Sequence, residues 1–140
     1  MSTREICNPP GLAPPTGKPG SASYSWVVKR GPNVFLAGML PYNHENQVVG
    51  EDIASQIRKA FENLRIGIES VGGTLSDICM ITVYTSHTDL QAEVFPEINP
   101  VYWEFFPNDP PARAVIGGVT LTRAGVFVEL VASAVLRDKS

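Results

Sequence analysis

Residues 125–136 read GVFVELVASAVL. As a β-strand, this stretch puts Val126, Val128, Leu130, Ala132, Ala134 and Leu136 on one face. Phe127, Glu129, Val131, Ser133 and Val135 fall on the other. Apolar residues on both faces are the pattern of a strand buried on both sides. Glu129 breaks the pattern, because a carboxylate taken out of water needs a partner. One reading makes it an edge-strand or subunit-interface carboxylate held by another group. The other makes it a carboxylate that faces a cleft.

The remaining elements are read outward from this strand. Residues 112–121, ARAVIGGVTL, form a preceding strand, and NDPP at 108–111 separates it from a helix over about Pro96 to Phe106. Pro96 suits a first helical turn, whereas Pro100 should delay or kink the helix start. Residues 77–86, DICMITVYTS, are β-branched and aromatic enough for another strand. From Glu51 to Val71, residues Ile53, Ile57, Ala60, Phe61, Leu64, Ile68 and Val71 recur at helical spacing. Glu51 and Asp52 suit the positive end of that helix, and Gly72-Gly73 end it. Residues 23–31 and 33–41, SYSWVVKRG and NVFLAGMLP, form a hairpin around Gly31-Pro32-Asn33. Residues 8–20, NPPGLAPPTGKPG, read as an irregular surface arm. The order ββαβαββ predicts a single α+β domain over 1–140, with residues 1–22 as an irregular N-terminal arm. A mixed sheet carries both helices on one face.

With 140 residues the chain is long enough for one domain with a real core. Formal net charge is -3, and the densest basic spots are only Lys29-Arg30 and Arg58-Lys59, so nucleic acid is not an expected partner. No apolar run is long enough to span a membrane, and the first residues lack the apolar core of a signal peptide. The expected location is therefore the cytoplasm. Cys7 and Cys79 have no metal or redox spacing, and Cys79 reads as a small core residue. His44 and His87 lie in polar, loop-like stretches and read as solvated, so neither is assigned a metal.

Arg113 raises the same question as Glu129. It opens an apolar strand directly after two prolines. It reads either as a rim arginine whose stem covers apolar surface or as a planar, bidentate site for a carboxylate. Two strands of one sheet could bring Arg113 and Glu129 to the same end of a pocket. There the arginine would hold a small carboxylate while the glutamate, its pKa raised by desolvation, holds a water. A plain Arg113–Glu129 salt bridge is the catalytically silent alternative.

PPARAVIGGVTL (110–121) followed by VFVELVASAVL (126–136) resembles the C-terminal signature of the RidA/YjgF family, the reactive-intermediate enamine/imine deaminases. The likeness extends over roughly residues 20–136, through the first hairpin, SQIRKAFENLRIGIESVGGTLSDICMITVY (55–84) and FPEINPVYWEFFPNDPPAR (95–113). It implies a chorismate-mutase-like homotrimer with sites in the clefts between subunits, acting without a cofactor. Arg113 stands where the family's arginine grips the substrate carboxylate, and Glu129 where its glutamate positions a water. Tyr24, Gly38, Phe95 and Asn99 match residues that line the family's pocket. Each also has a plainer reading: strand aromatic for Tyr24, bulge for Gly38, core for Phe95 and helix N-cap for Asn99. Val115 stands where many deaminating members have cysteine, and Gly38-Met39 where Gly-Gln is frequent. The arginine-to-glutamate spacing is one residue longer, within GGVTLTRAG (117–125). These departures alter the pocket wall.

The expected function is hydrolysis of enamine/imine intermediates of small carboxylates to 2-oxo acids and ammonia. Alternatives are a relative specialised for a larger unsaturated amino or imino acid, and a ligand-binding trimer without turnover.

Overall fold

The last strand of the chain, Val128–Val135, lies in the interior of the sheet with a neighbour on each side. The computed structural model of the chain describes residues 3–15 and 23–137. Six strands follow in chain order: β1 (Glu5–Cys7), β2 (Val27–Arg30), β3 (Asn33–Leu36), β4 (Ile78–Thr85), β5 (Ala112–Ile116) and β6 (Val128–Val135). They form one mixed sheet in the order β1-β2-β3-β6-β4-β5. Only β4 and β5 pair in parallel. Helix α1 (Ile53–Glu69) follows β3, and α2 (Phe95–Phe105) joins β4 to β5 as a crossover. The α+β architecture is the one expected.

α1 forms where the apolar period predicts it. Asp52 is its N-cap, accepting from the Ser55 amide at 2.8 Å, while Ser55 Oγ accepts from the Asp52 amide at 3.3 Å. Gly72, at φ 85°, closes the other end, and the Gly73 amide returns to the Ile68 carbonyl at 3.0 Å. Ile53, Ile57, Ala60, Phe61, Leu64 and Ile68 are buried against the sheet, with Val128, Leu130, Ala132 and Ala134 of β6 opposite them. α2 begins at Phe95, after a π-helical turn over Leu90–Val94, and runs through Pro100. Pro96 and Pro100 are both exposed, so water can replace the missing donor and the helix is not delayed.

Among the described residues no layer covers the other face of β6. Phe35 is 56% exposed, Val131 40%, Val135 48% and Ile116 44%, and β-sheet register places all four on this open face. Burial on both sides is thus met on one side only.

Two further readings are corrected. Part of the arm is a strand: β1 pairs with β2, and the Trp26 indole donates to the Ala13 carbonyl at 2.6 Å. Residues 16–22 of the arm lie outside the described residues. Cys79 is exposed rather than core. Ile78 pairs with Ala134 and Met80 with Ser133, so Cys79 is the extra residue of a bulge and leaves the strand alternation.

Candidate active site

Glu129 stands on the open face because its neighbours Val128 and Leu130 are committed to the core. Beside it the β3–β6 ladder is interrupted. Pairing runs from Asn33–Val135 to Phe35–Ser133 and resumes at Met39–Leu130, where two backbone hydrogen bonds of 2.7 and 2.9 Å close. Leu36, Ala37 and Gly38 therefore stand opposite Val131 and Ala132, and this extra residue sets Gly38 against the Glu129 carboxylate. The cleft above them has a volume of about 420 Å³ and is walled by Tyr24, Trp26, Tyr42, Thr122 and Arg123. Tyr24 packs edge-on to Trp26 with ring centroids 5.1 Å apart. Burial raises the Glu129 carboxyl above its ordinary pKa, and raises the Tyr24 phenol likewise.

Arg113 sits in a second cleft of about 320 Å³, with Asn99, Tyr102, Trp103, Pro110 and Pro111. Its Nη1 donates to Asn99 Oδ1 at 2.8 Å. The guanidinium lies 4.9 Å from the Tyr102 ring centroid and 5.4 Å from that of Phe95. Burial holds the Tyr102 phenol far above its ordinary pKa, against the smaller opposing pull of Arg113, so it is a neutral wall for the cation. Three contacts thus aim Arg113, and among the described residues no carboxylate pairs with it.

The two clefts do not share a face of the sheet. Arg113 pairs with Ile81, which is buried beneath the helices, whereas Glu129 pairs with Tyr84 on the open side. One sheet therefore does not bring them to the same end of one pocket, and no Arg113–Glu129 salt bridge forms. Tyr24 and Gly38 join Glu129; Asn99 and Phe95 join Arg113. Asn99 lies within α2 and does not cap it. Phe95 serves the core and the arginine together. Val115 pairs with the buried Val83 and packs against the core, outside the walls of both clefts.

Sequence patterns missed several contributors. Gln56, fully buried in α1, donates to the Gly50 and Gly125 carbonyls at 3.2 and 2.6 Å and accepts from the Phe127 amide at 2.7 Å. Asn63 donates to the Leu40 and Tyr42 carbonyls at 2.9 Å each. These two amides tie the loops around Glu129 to the helix. Their only signal in sequence is a polar residue on an otherwise apolar helix face. His87 is half-buried, edge-on to Phe127 at 5.4 Å, and not solvated as expected. Among the described residues no three His, Cys, Asp or Glu side chains gather as a metal site.

The family model described as Endoribonuclease L-PSP matches residues 16–136. A RutC family protein of Pyrococcus abyssi is 35% identical over 94 residues, 66% of this chain and 71% of that protein. A Dermatophagoides farinae protein named 2-iminobutanoate/2-iminopropanoate deaminase is 30% identical over 124 residues, 88% of this chain and 90% of that one. Among solved structures, a Mycobacterium tuberculosis member of the YjgF family superposes with a TM-score of 0.74 at 25% identity, covering 96% of this chain and 100% of that chain. RidA from an Antarctic Psychrobacter aligns with a TM-score of 0.79 at 24% identity, over 94% of this chain and 99% of that one, a likeness of fold. Signature, fold and relatives agree, and the chain belongs to the RidA/YjgF family.

Proposed function

We propose that the protein is a hydrolytic deaminase of 2-imino acids that works as a homotrimer, with each site shared between two copies. One observation carries this reading. A half-buried carboxylate and an aimed arginine without a carboxylate partner occupy different faces of one chain, each in its own open cleft. A small substrate can touch both only where a second copy sets its Arg113 cleft against Glu129. The bare apolar face around Phe35, Val131 and Val135 gives a second copy a surface to cover.

In the shared site Arg113 grips the substrate carboxylate with two parallel N–H donors and fixes the imine carbon by proximity. Glu129 accepts a hydrogen bond from a water and removes its proton as the water oxygen bonds to that carbon. The C=N π pair becomes the nitrogen lone pair. The proton held on Glu129 then passes to nitrogen, giving a carbinolamine. Glu129 next takes the hydroxyl proton and delivers it to that nitrogen, so that the C–N bond breaks and ammonia leaves as the carbonyl forms. Proton transfer of this kind is typically worth about 10²–10⁴-fold. Tyr24, held protonated by its raised pKa, donates a hydrogen bond to the substrate or the water. An enamine enters the same route after tautomerising to its imine. The Dermatophagoides relative's name fits this reaction class.

The test is a coupled assay in which a lyase generates 2-aminoacrylate from serine and semicarbazide traps it. Wild type should speed pyruvate formation and suppress trapping, and Arg113→Ala should lose both effects. A folded protein whose wild type gives no acceleration would overturn the deaminase reading for this small substrate.

A further inference from the structure

Arg123 belongs to the Glu129 cleft, yet hydrolysis of a simple imino acid gives it no task. It lies in the lengthened loop GGVTLTRAG (117–125) and is held in place from two sides. Its guanidinium stacks 4.3 Å from the Tyr42 ring centroid, and its Nη1 donates to the Asn46 carbonyl at 2.9 Å. Tyr42 is itself fixed, by a 2.7 Å hydrogen bond to Thr122 and by Asn63, which takes its backbone carbonyl. A guanidinium held over a ring face with one donor engaged keeps its other N–H groups available as donors. Among the described residues no carboxylate forms an ion pair with Arg123. The exposed side chain is thus held at the wall of the cleft that Glu129 also lines, without a carboxylate partner.

In the single chain the cleft, open on the side that a second copy would close, has a volume of about 420 Å³. With Arg113 supplied by a second copy, the completed site would hold two fixed cations and one carboxylate whose charge burial disfavours. We infer that Arg123 is a specificity residue that receives a second carboxylate, so that the preferred substrates are imines of dicarboxylic acids. This inference rests on the deaminase reading and deepens it by naming the substrate class. The reaction is unchanged: water adds to the imine carbon beside the first carboxylate, while the distal carboxylate takes no part in bond-making. Charge complementarity favours a dianion here, and a pre-positioned arginine loses little freedom on binding it.

The experiment measures binding of two unreactive product-type probes, 2-oxobutanoate and 2-oxoglutarate, by titration calorimetry. Wild type, Arg123→Gln, Arg123→Glu and Arg113→Gln are compared, each confirmed folded by circular dichroism. Wild type should bind 2-oxoglutarate about ten- to a hundred-fold more tightly than 2-oxobutanoate, the range of one charge-assisted hydrogen-bonded contact. Arg123→Gln should bring that ratio close to one, and Arg123→Glu should invert it. A wild type without preference, or a ratio that survives Arg123→Gln, overturns the inference. So does an equal loss for both probes in Arg123→Gln, which would make Arg123 a loop support only. Arg113→Gln tests the underlying site separately. If it leaves both affinities intact, the deaminase reading loses its carboxylate clamp, whereas an Arg123-dependent ratio would still stand.

Discussion

A β-carbon on Gly38 would stand 2.5 Å from Oε1 of Glu129 and 3.0 Å from its Cδ. The glycine therefore leaves the space in which the carboxylate sits. In Gly38→Ala the group that must yield is the far end of a flexible side chain, not backbone. The thermal midpoint should change little, while the carboxylate is pushed off its position. A displacement of this size costs up to about 100-fold in rate. Steady-state kinetics beside a melting curve separate the two effects, and an active Gly38→Ala protein would contradict the placement of Glu129 as the water-binding group.

Glu129 also predicts a pH profile. Burial raises its carboxyl above the ordinary 4.5, and the deprotonated form is the base. Activity should rise with pH through that raised pKa, so the acid limb lies above the usual carboxylate range. Glu129→Gln should lower kcat by about 10²–10⁴-fold and abolish the limb. The same shift acts on stability with the opposite sense. Between the ordinary and the raised pKa the native state binds more protons than the unfolded chain, so stability falls as pH rises through that window. Unfolding titrations across it should give wild type a more negative slope than Glu129→Gln.

Sharing of the site between copies can be read from mixtures. Arg113→Ala and Glu129→Gln should each be inactive alone. When the two chains are refolded together in equal amounts, a ring of head-to-tail contacts regenerates about one quarter of the sites, since each intact half meets its complement at random. Recovered turnover of that order supports a shared site. A mixture as inactive as its parents would place both residues' work within single chains.

Gln56 should matter for stability out of proportion to its size. Gln56→Leu removes the partner of two carbonyls and of the Phe127 amide in a buried setting. A loss of about 1–3 kcal/mol is expected for buried groups left unsatisfied. Denaturant unfolding measures it. The loop that leads into β6 should loosen too, seen as faster amide exchange at Phe127.

Much of this was legible in residue order. The 3.6-residue period set α1 and its buried stripe, and the glycines after it marked its end. The PPAR and VFVEL stretches singled out Arg113 and Glu129 as charges in apolar company. Period alone states only which residues share a face; it does not say what lies over that face. That depends on α2 carrying the chain across to a parallel edge strand and on β6 entering between β3 and β4. These crossovers cover one side of the sheet and leave the other bare. Arg113 and Glu129 consequently look in opposite directions. The bulges follow the same logic: one extra residue exposes Cys79 and another sets Gly38 against Glu129, and neither offset is visible without the partner strand. Arg123 reads in sequence as one loop arginine among others, until Tyr42 and Asn46, far away in the chain, are folded against it. Local periodicity determined the elements, because backbone geometry dictates it residue by residue. Tertiary structure decided the site, because contacts between distant segments determine which side chains meet.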